Sequence, residues 1–83
     1  MKLQKNMVFV ILREGSECGV RLFVNSVDNY KVYYESIHYN REETFRDKSI
    51  FIGWIVNNII CFSIKDTYNH LERLINEKEK SNI

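Results

Sequence analysis

The sequence predicts a small α+β domain, in which about five strands form a curled antiparallel sheet or barrel and one amphipathic helix follows at the C-terminal end. Short runs rich in β-branched and aromatic residues succeed one another over residues 7–64, separated by turn-forming residues. Apolar residues recur at helical spacing only after residue 65. A chain of 83 residues has room for one domain, so residues 1–83 are expected to share one core.

The first half of the chain is typical of three consecutive strands. Residues 7–13 are a β-branched run, and the next six residues hold two glycines that suit a hairpin loop. Residues 20–27 form the second strand. Asp28-Asn29 predicts a two-residue turn into a third strand over residues 30–39.

That turn fixes a register for the second hairpin, in which Val27 faces Tyr30 and Phe23 faces Tyr34. The mostly polar residues 40–48 then interrupt the strands. Asn40 and Glu43 have the spacing of a capping box, so this segment is either a plain loop or one helical turn.

Residues 50–64 predict the last two strands, folded as a hairpin about Asn57-Asn58, which places Trp54 opposite Cys61. Apolar side chains occupy both faces of this hairpin, whereas a strand with one solvated face alternates polar and apolar residues. Each of the two faces of the hairpin must therefore be buried against something else. Either the strands curl into a barrel, or an open sheet packs against a second copy or a partner.

The terminal helix is expected to begin at Asp66 or Thr67, both good N-cap residues. Its apolar stripe consists of Tyr68, Leu71, Leu74 and Ile75. One such stripe covers part of one sheet face and leaves the other face without a lid. Residues 77–83 offer only Ile83 for burial and are expected to fray.

Composition excludes several classes of protein. The net charge is +1, with 12 basic and 11 acidic side chains, so no broad electrostatic attraction to nucleic acid or anionic lipid is expected. No apolar segment approaches the roughly 18 residues that span a bilayer, and the first residues lack the pattern of a signal peptide. Two cysteines are too few for a disulfide-stapled domain. We therefore expect a cytoplasmic protein that binds no membrane.

The sequence offers little chemistry for catalysis. The candidate ligands for a soft metal are Cys18, His38, Cys61 and His70, and no two of them have the spacing of a metal site. A Cys-His nucleophilic pair would have no evident orienting group. Phosphate-binding and hydrolase motifs are absent from the sequence. We expect no enzyme activity, no cofactor and no metal.

Aromatic residues suggest two binding functions. Tyr, Trp, Phe and Arg are enriched at the centres of protein interfaces, and a small sheet that is apolar on both faces leaves a surface for another protein. The interface candidates are Arg21, Phe23, Tyr30, Tyr34 and Trp54. Aromatic rings beside cations on a strand also stack single-stranded bases. The candidates for that alternative are Arg21, Lys31, Tyr33 and Tyr34.

The sequence therefore favours a non-enzymatic protein-binding module that docks a partner or a second copy of itself, with a homodimer expected. The alternative is a small β-barrel that binds single-stranded nucleic acid through the strand at residues 30–34. The chain contains no proline and no alanine and is rich in residues with AT-rich codons. That composition suggests a phage or mobile-element accessory protein that inhibits or redirects a host protein.

Overall fold

The computed structural model of the chain describes residues 2–36 and 42–81. The elements in chain order are β1 (Val8–Arg13), β2 (Ser16–Val27), β3 (Lys31–Ser36), β4 (Thr44–Asp47), α1 (Lys48–Val56), β5 (Ile60–Phe62) and α2 (Ile64–Ser81). The five strands form one antiparallel sheet in the order β4-β3-β2-β1-β5. The predicted α+β class, with an antiparallel sheet and a C-terminal helix, is confirmed.

The sheet is open and curled. β4 and β5 each pair with one neighbour only within the described part of the chain, so the strands do not close into a barrel. The register shifts between Val10 and Leu12 in β1, and again between Val24 and Ser26 in β2. Irregularities of this kind bend a strand and increase its local twist, which accounts for the curl.

The first two hairpins differ from the prediction in detail. Glu14 and Gly15 both have positive φ, at 54° and 79°, which is the two-residue turn favoured between antiparallel strands. β2 therefore begins earlier than predicted, at Ser16. The predicted register of the second hairpin is wrong, because Val27 pairs with Val32 and Tyr34 pairs with Val24.

The turn chemistry explains that error. Asp28 Oδ1 accepts hydrogen bonds from the backbone N–H groups of Tyr30, at 2.7 Å, and Lys31, at 2.6 Å. A backbone hydrogen bond from the Asp28 N–H to the Lys31 carbonyl, at 3.0 Å, leaves Asn29 and Tyr30 as the turn residues. The turn thus lies one residue later than predicted, which displaces the third strand by two residues relative to the second. Both hydrogen bonds also favour the ionised carboxylate, so they lower the pKa of Asp28.

The prediction of a hairpin over residues 50–64 is wrong. Lys48–Val56 is the helix α1, and only Ile60–Phe62 forms a strand, which pairs with β1 instead of with residues 50–56. Cys61 therefore lies beside Val10 and not opposite Trp54. The run is apolar on all sides, so it carries no period that separates a strand from a buried helix. Tertiary burial of the helix outweighs the strand preference of its β-branched residues.

Residues 40–48 also differ from the prediction of a loop or helical turn. Thr44–Asp47 is the edge strand β4, and it pairs with β3 through Tyr33 and Phe45. β3 itself is described as far as Ser36. Residues 37–41, which include Asn40 of the predicted capping box, lie outside the described residues.

The two helices cover opposite faces of the sheet. Alternation along the strands puts Phe9, Leu22, Val24, Val32, Tyr34 and Ile60 on one face, which we call the α1 face. Phe51 of α1 is fully buried there, with its ring centroid 5.2 Å from that of Phe9. The opposite face, the α2 face, carries Val8, Val10, Arg21 and Phe23. The predicted need for cover on both sides is thus met in part by a second helix that the sequence did not reveal.

Candidate docking surface

The helix α2 begins immediately after β5, earlier than the predicted start at Asp66 or Thr67. The Ser63 hydroxyl accepts a hydrogen bond from the Asp66 backbone N–H at 3.1 Å and donates one to Asp66 Oδ2 at 2.7 Å. This Ser-x-x-Asp arrangement resembles a capping box, and it satisfies a backbone donor of the first turn. The same spacing is visible in the sequence and would have given the correct start.

Polar side chains hold α2 against the sheet. Thr67 Oγ1 accepts a hydrogen bond from the backbone N–H of Val8 at 2.8 Å, and Arg21 Nε donates one to Asp66 Oδ2 at 3.0 Å. One turn further along the helix, the His70 ring packs on Phe23 with a centroid separation of 5.0 Å. The first two turns of α2 are therefore attached to the sheet through polar side chains.

The protonation of His70 reflects this position. Burial against the sheet lowers the pKa of His70, and the nearby charge of Arg73 lowers it further. Glu35 and Glu77 act in the opposite direction without reversing the shift. The neutral imidazole is thus favoured in the contact with Phe23.

The apolar side of α2 faces solvent. Its large apolar side chains are exposed by the following fractions: Ile64 75%, Tyr68 66%, Leu71 39%, Leu74 39% and Ile75 58%. We call these residues the α2 stripe. At 3.6 residues per turn, the centre of the stripe lies roughly 110° around the helix from the side that contacts the sheet, and Leu74, at one edge of the stripe, lies on the same side as Thr67 and His70. All side chains of residues 71–80 are exposed, so the second half of the helix extends beyond the sheet.

Sequence reasoning found most of the stripe but placed it wrongly. Tyr68, Leu71, Leu74 and Ile75 were expected to cover a sheet face, and the structure leaves them exposed. Ile64 falls outside the predicted helix, because the sequence predicts a strand that runs to residue 64. The mixed polarity of the other face of the helix gave no indication that Asp66, Thr67 and His70 would make the contacts.

The five interface candidates do not form one surface. Tyr34 is buried on the α1 face, where Trp54 packs edge-on against it with the ring centroids 6.3 Å apart. Phe23 is buried on the α2 face. Arg21 is paired with Asp66, and its Nη1 is buried without a hydrogen-bond partner among the described residues. Tyr30 is 79% exposed in the turn between β2 and β3.

The candidates for nucleic-acid binding are also divided between the two faces. Tyr34 lies on the α1 face, and burial raises the pKa of its hydroxyl. Lys31 and Tyr33 share the part of the α2 face near β4, where the Lys31 Nζ lies 4.4 Å from the ring centroid of Phe45. The Tyr33 and Phe45 rings are 5.9 Å apart. Asp47 is the neighbour of Lys31 on β4, so this aromatic cluster is not strongly basic.

A half-open cavity of about 170 Å³ lies on the α1 face beside the C-terminal end of α1. It is lined by Ile11, Leu22, Tyr34, Trp54, Ile59 and Ile60. Its surface is almost wholly apolar, so it offers no polar group that would orient a ligand or take part in a reaction.

The remaining candidates for chemistry are dispersed. Cys18 is exposed on β2, Cys61 is half-buried on β5, and both are free thiols. His38 lies outside the described residues. Within residues 2–36 and 42–81, no three His, Cys, Asp or Glu side chains lie close enough together to hold a metal ion. Neither helix in this part of the chain combines the length and apolarity needed to cross a bilayer.

Comparison of the chain with protein-family models, curated proteins and solved structures finds no match.

Proposed function

We propose that the protein is a non-enzymatic protein-binding module and that the α2 stripe is its docking surface. One observation carries this proposal: α2 is held to the sheet through polar contacts at Asp66, Thr67 and His70, while its apolar side chains face water. Full burial of an Ile or Leu side chain contributes about 1.5 to 3 kcal/mol. A partner that covered the stripe would gain this stabilisation several times over.

The charges of α2 favour a protein partner over a lipid surface. An amphipathic helix that binds membranes is rich in Lys and Arg on its polar face, because anionic headgroups attract them. α2 carries four basic and four acidic side chains and so has no such excess. A neutral helix with an exposed apolar stripe instead suits the helix-in-groove or helix-pairing modes of protein recognition.

Site-specific crosslinking in cells that express the chain tests this function. A photoreactive phenylalanine analogue at Tyr68 is expected to give a discrete crosslinked product. The same analogue at Asn69, which is also exposed but lies outside the stripe, is the matched control and is expected to give none. Equal products from both positions, or no product from Tyr68, would contradict a docking role for the stripe. Mass spectrometry of the product then identifies its second component.

Binding of single-stranded nucleic acid is the second candidate function, and the Tyr33, Phe45 and Lys31 cluster supports it. Each base stacked on an exposed ring contributes about 1 to 3 kcal/mol. Fluorescence anisotropy with a short single-stranded oligonucleotide should show binding that weakens steeply with salt and is lost in a Tyr33→Ala, Lys31→Glu variant. Binding unchanged by these substitutions, or none at low salt, would reject this alternative.

A further inference from the structure

We infer that the α2 stripe pairs with the α2 stripe of a second copy of this chain, with the two helices antiparallel. This inference rests on the proposed function, since it assigns an occupant to the same surface. The resulting assembly is a homodimer with two-fold symmetry, in which each chain contributes the same residues.

The spacing of the stripe is the first argument. Ile64, Tyr68, Leu71 and Ile75 follow one another at intervals of four, three and four residues. This is the alternation of the two apolar positions in the heptad of paired helices. Leu74 lies beside this row, on the side toward the sheet, and widens the apolar strip there.

In the antiparallel register, each of these four residues lies opposite an apolar residue of the second copy. Ile64 then packs against Ile75 of the second copy, and Tyr68 packs against Leu71 of the second copy. The two-fold axis lies between Asn69 and His70, so each contact occurs twice. All layers formed in this way are apolar, and the pairing buries the side chains that are now 39% to 75% exposed.

Charge complementarity selects the antiparallel orientation. Lys65 and Glu72 are exposed and lie on the same edge of the stripe, two turns apart. In the antiparallel pair, each Lys65 lies beside Glu72 of the second copy, which gives two ion pairs. A parallel pair would instead place Glu72 beside Thr67 and Glu79 beside Leu74. Exposed ion pairs are weak, so they set the orientation while the apolar layers supply the affinity.

Sedimentation velocity of the purified chain over about 5 to 300 μM tests the assembly. The wild-type chain is expected to dimerise in this range, and Leu71→Glu is expected to remain monomeric because it puts charges in the central layers. Asn69→Glu adds the same charge outside the stripe and should leave dimerisation unchanged. Circular dichroism verifies that each variant retains the fold.

A charge exchange tests the orientation. Lys65→Glu and Glu72→Lys should each weaken dimerisation about tenfold, because each turns both ion pairs into repulsive pairs. The double variant Lys65→Glu, Glu72→Lys restores both pairs and should return to within about twofold of the wild-type dissociation constant. Failure of the double variant to recover would overturn the antiparallel register.

The outcomes separate this inference from the proposed function. A wild-type chain that stays monomeric at the highest concentration overturns the second copy as occupant. If Tyr68 and not Asn69 still crosslinks a different protein, the docking function stands without the homodimer. A dimer that Leu71→Glu and Asn69→Glu leave equally intact uses another surface, and that result overturns the inference.

Discussion

The two helices of this protein use one sheet in opposite ways. α1 has nine residues, no side-chain cap, and apolar residues on almost every side, and Phe51 anchors it by full burial. α2 has eighteen residues and a cap at Ser63, and it is attached through polar groups with its apolar stripe exposed. The comparison teaches that an apolar stripe marks the side of a helix that requires cover, which is not always the side that faces its own sheet.

The sharpest test of this comparison removes one apolar side chain from each helix. Phe51→Ala should lower the free energy of unfolding by about 3 to 5 kcal/mol, because it leaves a cavity between α1 and the sheet. Leu71→Ala should cost only about 1 kcal/mol in dilute solution, because Leu71 is 39% exposed and its truncation leaves no enclosed cavity. Urea denaturation measures both variants. Similar losses would show that Leu71 is part of the folding core.

Because polar contacts attach α2 to the sheet, loss of the Thr67 hydroxyl should lower the free energy of unfolding more than truncation of Leu71. Thr67→Val keeps the shape of the side chain but leaves the buried Val8 N–H without its acceptor. The expected loss is about 1 to 3 kcal/mol in urea denaturation. Thr44→Val on the exposed strand β4 is the matched control, and its effect should stay within about 0.5 kcal/mol. Equal effects of the two substitutions would contradict the role of Thr67.

The carboxylate of Asp66 should contribute less than Thr67, because its ion pair with Arg21 is partly open to solvent. Asp66→Ala removes the acceptor for Arg21 Nε and for the Ser63 hydroxyl, and we expect a loss of about 1 kcal/mol. Added salt should reduce part of this difference. Glu79→Ala, which changes an exposed carboxylate far from the sheet, is expected to be neutral. If Asp66→Ala lowered the free energy of unfolding no more than Glu79→Ala, Asp66 would have no role in holding α2 to the sheet.

The smallest effect is expected at His70. Its pKa is lowered from the usual 6.5 in the folded state, first by burial and then by Arg73, while Glu35 and Glu77 oppose the shift. The unfolded chain therefore binds more protons below about pH 6.5, so stability declines as the pH falls from there toward the lowered folded value. His70→Gln should remove this part of the pH dependence in urea denaturation. A variant with an unaltered pH profile would show that His70 does not titrate in contact with Phe23.

Where apolar residues recur with a clear period, the local sequence was sufficient to predict whether the segment is a strand or a helix. The β-branched runs of β1 and β2, the turn near Gly15 and the spacing from Tyr68 to Ile75 all predicted the observed type of element. Residues 50–56 failed because apolar side chains on every side fit a strand and a buried helix equally well. The predicted register of the second hairpin is wrong because the Asp28 side chain accepts hydrogen bonds within the turn, and the turn residues are Asn29 and Tyr30 instead of Asp28 and Asn29.

The sequence by itself determined the class of fold, the antiparallel strands and the amphipathic character of the last helix, since these depend on spacing along one segment. Only the tertiary structure decided which residues meet across the fold. Phe51 enters the core because Phe9 and Tyr34 line a space for its ring on the sheet. The stripe stays in solvent because Val8 and Arg21 present hydrogen-bonding groups to the polar side of α2. Such contacts join residues distant in sequence, and no local period encodes them.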